Sequence, residues 1–361
     1  MSAQFENVQN PSITREDVAE VLVSVLTDET LQVVLAKRPQ SIPQDDVFRF
    51  ETIETREPHA GEVQVESIYV SVDPYMRGRM NDTKSYVQPF QVNEPLQGHI
   101  VGKVTQSNDE RLSVGDYVTG ILPWKKINTV NGDDVTPVPS KDVPLHLYLS
   151  VLGMPGMTAY TGLLQIGQPQ SGETVVVSAA SGAVGSVVGQ IAKIKGAKVV
   201  GIAGGKQKTT YLTDELGFDA AIDYKQDDFA QQLEAAVPDG IDVYFENVGG
   251  VISDEVFKHL NRFARVPVCG AISAYNNEKD DIGPRIQGTL IKNQALMQGF
   301  VVAQFADHFK EASEQLAQWV SEGKIKFEVT IDEGFDNLPS AFRKLFTGDN
   351  FGKQVVKIKE E

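Results

Sequence analysis

The chain has 361 residues, of which 41% are hydrophobic and 23% charged, with a formal net charge of -16. That length favours two domains over one, and the acidic balance repels phosphate backbones, so nucleic acid is not expected as a partner. No apolar run reaches the roughly 18 residues a membrane helix needs, and the N-terminus is too acidic for an exported or organellar leader, which predicts a cytoplasmic protein with no membrane partner.

In chain order, residues 10–29 read as a capped helix, with Ser12 or Thr14 near the cap and Val18, Val21, Leu22 and Val25 along one face. From Leu31 to about Val138, short alternating runs such as LQVVLAK, EVQVESIYVSV, HIVGKVTQS and DYVTGIL are separated by Pro, Gly, Asn and Asp clusters, which predicts an antiparallel β domain. From Gly156 to Gln304, β-branched runs (TVVVSAA, KVVGIAG, IDVYFENV, RVPVCGAI, LMQGFVV) alternate with helical ones, as βαβ units with a parallel sheet require. The end of the chain returns to strand, helix, strand, and its last strand is expected to rejoin the first domain. The polar stretches NDTKSYVQPF and WKKINTVNGDD are expected as loops that line the pocket.

Cys269 is the only cysteine, so neither an intrachain disulfide nor a cysteine-built zinc site can form. The histidines (His59, His99, His146, His259 and His308) show no helical metal-pair spacing. Ligands could still converge from distant positions, so spacing alone disfavours zinc without excluding it.

The run from Thr174 to Ala197 reads as strand, glycine turn, helix. Gly182 allows the tight turn and backbone approach to a pyrophosphate, and Gly185 allows the helix to pack closely on the strand. The first glycine of G-x-G-x-x-G is replaced at Ala179–Ala180, which is acceptable if the alanine keeps an ordinary φ. An ordinary βα turn would carry the same letters. At the end of the second strand, where an NAD site places an acidic residue, the sequence has Lys206, Gln207 and Lys208. Those cations would attract a 2′-phosphate, so NADPH is the expected cofactor.

Seven segments in one order, VSVDPYMRGRM, GMPGMTAYTGLL, AASGAVGSVVGQIAKIKGAKVVGIAG, FENVGG, VCGAISAYN, MQGFVV and FGKQVVKI, resemble the zinc-free branch of the medium-chain dehydrogenases/reductases. The resemblance is to the group of prostaglandin reductases (leukotriene hydroxydehydrogenases), plant alkenal double-bond reductases and bacterial curcumin reductase, and covers residues 30 to 360. Zinc-containing relatives use a Gly-His-Glu motif; this sequence reads Gly98-His99-Ile100. The resemblance implies an α/β fold, with a Rossmann-type doubly wound parallel sheet plus a GroES-like antiparallel β domain. Residues 1–29 would form an N-terminal extension, 30–155 the catalytic β domain completed by 311–361, and 156–310 the Rossmann NADPH-binding domain.

It also implies roles by position. Gly182, Ala183, Val184 and Gly185 would contact the pyrophosphate, and Lys208 and Tyr224 the 2′-phosphate region. Asn247 would touch the cofactor, Cys269 to Tyr275 with Phe300, Val301 and Val302 would line the nicotinamide side, and Asn350 would reach in from the other domain. The lone Cys269 also reads as a small buried hydrophobe.

Without a metal to polarise a carbonyl, hydride delivery to the β-carbon of an enal or enone is the easier chemistry, because charge spreads into an enolate. Tyr275 and Tyr75 are the candidate catalytic hydrogen-bond donors. The expected activity is NADPH-dependent reduction of the C=C bond of α,β-unsaturated aldehydes or ketones. Quinone reduction, zinc-free oxidation of an allylic alcohol, and a non-catalytic NADPH-binding interaction protein remain as alternatives. The resemblance further implies a homodimer paired near VCGAISAYN and MQGFVV.

Overall fold

The computed structural model describes residues 29–361. The helix expected over 10–29 therefore lies outside the described residues, except for Glu29, which opens a strand.

The first half of the chain is a β structure. β1 (Glu29–Leu35) and β2 (Phe48–Glu54) form a two-stranded antiparallel ribbon. β3 (Glu62–Ser71), β4 (Gln97–Ser107), β5 (Tyr117–Pro123), β6 (Ile127–Asn131) and β7 (Thr136–Pro137) belong to one larger sheet, with β3 central to it. The Val33, Val65, Ile100 and Leu122 side chains point inward along these strands and enclose Trp124 and Met76. Between β3 and β4 lies a short α-helix, α1 (Tyr75–Arg79). The stretch WKKINTVNGDD is not a pocket loop. Its Ile127–Asn131 part is β6, paired antiparallel with β3, because Asn128 and Val130 alternate onto the sheet as strand residues do.

The middle of the chain is a parallel sheet. After α2 (Met154–Thr161) come β8 (Thr174–Val177), α3 (Gly185–Ile194), β9 (Lys198–Ala203), α4 (Lys206–Asp214), β10 (Ala220–Asp223), α5 (Phe229–Ala236), β11 (Ile241–Phe245), α6 (Gly250–Val256), β12 (Leu260–Val268), α7 (Gln287–Asn293) and β13 (Leu296–Gly299). The strand order is β10-β9-β8-β11-β12-β13, all parallel. β8 shows why the sequence reads as continuously apolar: Val175 and Val177 pack into one helix layer with Val188 and Ile191, while Val176 packs into the other with Val200 and Val256. At the far edge, β13 and α7 bury no large side chain; Leu296 is 50% and Ile291 77% exposed.

The chain ends with α8 (Phe309–Ser321), β14 (Val329–Glu333), α9 (Leu338–Thr347) and β15 (Lys353–Lys357). β15 pairs antiparallel with β3 and parallel with β14, so the chain's last strand sits in the sheet of its first half. The Ala312, Leu316 and Trp319 side chains of α8 pack in the core of the parallel-sheet half, beside Val175. Among the described residues, no helix is long and apolar enough to cross a membrane.

Candidate active site

In a doubly wound sheet, ligands bind beyond the C-terminal ends of the strands where the order reverses. Here that point lies between β8 and β11, and the residues following the two strands are tied together across it. Asn247 donates its amide N–H to Ser178 Oγ at 2.9 Å and its side-chain Nδ2 to the Ser178 carbonyl at 2.8 Å. The buried Glu246 supports this junction: its Oε1 accepts from the Tyr244 hydroxyl at 2.9 Å and from the Val248 and Gly249 amides, each at 2.8 Å.

The glycine turn follows β8. Ala179 has φ +47°, so the expectation of an ordinary φ at this alanine is overturned. The backbone keeps the left-handed shape that a glycine would normally supply, at a cost of roughly 1–2 kcal/mol. The neighbouring ties, Ala180 N–H to Ile202 O at 2.9 Å and Gly182 N–H to Ala179 O at 3.0 Å, hold it there. Gly185 is required: a Cβ on it would stand 2.3 Å from the Ala179 carbonyl. Ala183, Val184 and Gly185 thus lead straight into α3, whose first-turn amides and dipole favour an anion.

Beyond β9 two lysines and a tyrosine gather around a glycine. A Cβ on Gly204 would meet Lys225 Cε at 2.9 Å and the Tyr224 hydroxyl at 3.1 Å, so these side chains close over the glycine. Lys208 reaches the same region from α4 and donates to the Gly348 carbonyl at 2.7 Å. Burial, then the nearby Lys225 charge, lower the Lys208 pKa, with Asp349 acting in the opposite sense. Asp223, at the end of β10, accepts from the Gly205 amide at 2.9 Å and the Lys225 amide at 3.0 Å. It is engaged with loop amides and not presented to a ribose. Lys225 escaped the sequence reading because an exposed lysine has no periodic signature; the only sign was its place directly after Tyr224.

Cys269 follows β12, where burial pushes its thiol up to about 12, so it stays a neutral thiol and is no nucleophile. Phe300 lies against Gly162, where a Cβ would come within 2.3 Å of its ring, and packs edge-on to Phe245 at 6.1 Å. Phe300, Val301 and Val302 lie just beyond the end of β13, and Val301 N–H is bonded to Gln304 Oε1 at 3.2 Å. From the other half of the chain, Gly352 N–H donates to the Ser181 carbonyl at 3.1 Å, and Asn350 Nδ2 donates to Gly352 O at 3.1 Å. Asn350 therefore sits beside the glycine turn.

Next to these groups opens a cleft of about 750 Å³, bounded by Tyr75 and Arg79 on one side, Ala274 and Tyr275 on the other, and Tyr86 at its edge. The Tyr275 hydroxyl accepts the Ala271 amide N–H at 3.2 Å. Burial raises its pKa despite that bond. Burial, then the Asp73 carboxylate, raise the Tyr75 pKa as well. Both phenols keep their protons at neutral pH and can donate a hydrogen bond. Tyr86 was missed by sequence reasoning, since it stands in a polar loop without pattern; its place in NDTKSYVQPF was the only hint.

The residues do not fit a catalytic zinc. Ile100 is fully buried in the apolar core. Beside His99 lies the buried Asp73–Lys353 ion pair at 2.8 Å, and its ammonium would repel a divalent ion. Among the described residues, no three His, Cys, Asp or Glu side chains gather to hold a metal.

Residues 31–138 match the family described as N-terminal domain of oxidoreductase, and residues 183–321 the family described as zinc-binding dehydrogenase. The NADPH-dependent curcumin reductase of Escherichia coli (strain K12) is 44% identical over 330 residues, covering 90% of this chain and 96% of that protein. A 2-alkenal reductase (NADP(+)-dependent) of Nicotiana tabacum is 39% identical over 336 residues, covering 91% and 98%. The crystal structure of CurA from Vibrio vulnificus in complex with NADPH superimposes with a TM-score of 0.88 at 42% identity, covering 92% of this chain and 100% of that one.

Proposed function

We propose, from the premise that this chain belongs to the zinc-free medium-chain dehydrogenase/reductase family, that it is an NADPH-dependent reductase of the C=C bond of α,β-unsaturated aldehydes or ketones. The observation that carries the reading is the Tyr275 hydroxyl, held by the Ala271 amide just beyond the end of β12, with Tyr275 and Tyr75 lining one cleft. NADPH, held by the residues named below, would supply the hydride. The chain's own residues position and stabilise. The α3 N-terminus and Gly182–Gly185 receive the diphosphate, and Lys208, Lys225 and Tyr224 the 2′-phosphate. Asn247, Cys269, Phe300, Val301, Val302 and Asn350 shape the wall beyond. Tyr275 and Tyr75 donate hydrogen bonds to the carbonyl oxygen as it takes on enolate charge, and their raised pKa keeps those hydrogens in place.

The test is turnover of NADPH with a panel of enals, enones and quinones, followed by product identification. Saturated aldehydes and ketones are expected. Reduction of the carbonyl with the double bond intact, or of quinones alone, overturns the reading. Tyr275→Phe is expected to lower kcat about a hundredfold, the low end for losing one such donor, and a loss of less than about tenfold counts against the assignment.

The same reading includes a homodimer. Among the described residues β13 is the edge of the parallel sheet and no strand pairs with its outer side, and Leu296, Ile291 and Phe263 stand exposed around it. An open edge with apolar flanks is a surface for a second copy.

A further inference from the structure

Three stretches of chain far apart in sequence wall the cleft: Pro39 and Gln40, the α1 segment, and the segment that begins at Ala274. One buried side chain is hydrogen-bonded to all three. Arg77 Nε donates to Asn276 Oδ1 at 2.9 Å and to the Ser41 carbonyl at 3.2 Å. Its Nη1 donates to Asn81 Oδ1 at 2.8 Å and its Nη2 to the Pro39 carbonyl at 3.3 Å. All four acceptors are neutral. Burial disfavours the Arg77 charge, and an apolar side chain of similar size would stabilise a fold at least as well. What an apolar side chain cannot do is set directions. The guanidinium holds its N–H donors in one rigid plane, so the partners it joins keep a fixed relation to one another.

The partners are placed where that relation matters. Arg77 stands two residues after Tyr75 on α1, and Asn276 directly follows Tyr275. Among the described residues, no other hydrogen bond joins residues 29–150 to residues 241–310. The Arg77–Asn276 bond therefore links the two halves of the chain at the cleft, as the Gly352–Ser181 bond links them at the glycine turn. Two phenols on different halves can donate to one oxygen only if their separation is held to within about half an ångström. A misplacement of about 1 Å can cost a hundredfold in rate.

We propose that Arg77 is a positioning residue: through Asn276 it clasps the two halves together and sets the spacing of Tyr75 and Tyr275 across the cleft. What that spacing does rests on the enone-reductase reading; the clasp itself does not. Arg77 acts through the two tyrosines.

The test begins with Asn276→Ala, which removes the acceptor on the far half and leaves Arg77 its other three. Its kcat with benzylideneacetone is expected to fall about tenfold, part of what a full 1 Å displacement costs. NADPH affinity is expected to stay within about twofold, and the thermal midpoint to hold. Asn276→Asp offers the same guanidinium a charged acceptor and is expected to keep kcat. Arg77→Lys, a single point in place of a fork, is expected to lower kcat and to recover part of it when combined with Asn276→Asp. Arg77→Lys with Asn276→Ala is expected to cost little more than either alone, as two breaks in one link do. Amide hydrogen exchange gives a readout apart from turnover: in Asn276→Ala, residues 75–80 and residues 272–277 are expected to exchange faster together. If kcat in Asn276→Ala matches wild type, if only one of the two segments loosens, or if the two substitutions simply multiply, Arg77 only braces α1 and the proposal fails. A loss of NADPH affinity or of the midpoint as large as the loss in kcat overturns it as well. Joint loosening of both segments, with no enone reduced even by wild type, upholds the clasp and sinks the reductase reading alone.

Discussion

Lys208 donates its ammonium to the Gly348 carbonyl at 2.7 Å while Lys225 and Tyr224 close over Gly204, so one small space gathers two cations and a phenol. A 2′-phosphate placed there replaces a neutral acceptor with a charged one, and the unphosphorylated ribose gains nothing comparable. Lys208→Ala and Lys225→Ala are each expected to weaken NADPH about tenfold and NADH by less than about twofold in a fluorescence titration. A ratio of the two affinities unchanged in both variants overturns the assignment. At this scale the sequence was readable wherever chemistry demands a residue type. The missing acid after β9 and the lysines that follow it were plain; Lys225 and Tyr86 were not, because exposed side chains become neighbours only through the fold. Ala179 shows the opposite failure. Its letter suggested an ordinary backbone, yet the surrounding hydrogen bonds impose φ +47°.

At the scale of elements, α1 and β15 meet through a buried charge. Lys353, the first residue of β15, donates to Asp73 Oδ1 and to the Val72 carbonyl, both at 2.8 Å, and both side chains of the pair are almost wholly buried. Asp73 stands two residues before Tyr75, so the ion pair fixes the start of the helix that carries a candidate donor. Lys353→Met leaves the Asp73 charge buried and alone and is expected to cost about 3–5 kcal/mol in chemical denaturation. The pH dependence has a definite sign. Burial acts to raise the Asp73 carboxyl, but the Lys353 charge, then His99 and the hydrogen bonds from Lys353 and Ser71, hold it below its ordinary value. A carboxylate lowered in the fold stabilises above the unfolded-chain value near 4 and loses that contribution as pH falls through its folded value. The gap between wild type and Lys353→Met is therefore expected to narrow below about pH 4; a gap constant down to pH 2 would show that the pair does not act this way. Elements of the parallel sheet were legible because strands buried on both faces are apolar without a break. β6 was not, since INTV also suits a polar loop and only its pairing with β3 decides. The allegiance of α8 was equally hidden: an amphipathic helix does not declare which core it joins. From the packing of Ala312, Leu316 and Trp319 we extend the nucleotide-binding unit from residue 310 to Ser321.

For the whole molecule, the open edge of β13 makes assembly a question of concentration. A dimer joined there is expected to sediment at twice the chain mass of 39.5 kDa, and its thermal midpoint is expected to rise with protein concentration. Replacing the exposed Leu296 by Lys should shift the population to the single chain while leaving its circular dichroism unchanged; a wild type that sediments as a single chain at every concentration removes the dimer. The discontinuous plan of the chain, with β15 returning to β3, was visible in the sequence only as a strand pattern at the wrong end, yet it has a mechanical result. Gly352 of the returning segment is hydrogen-bonded to Ser181 in the turn that receives the diphosphate, and it bridges Gly182. The two lobes are thus stitched together at the turn proposed to receive the cofactor. The turn proposed to hold the cofactor is therefore shared property of the two lobes: one supplies its amides, and the other supplies the Gly352 bond that steadies it.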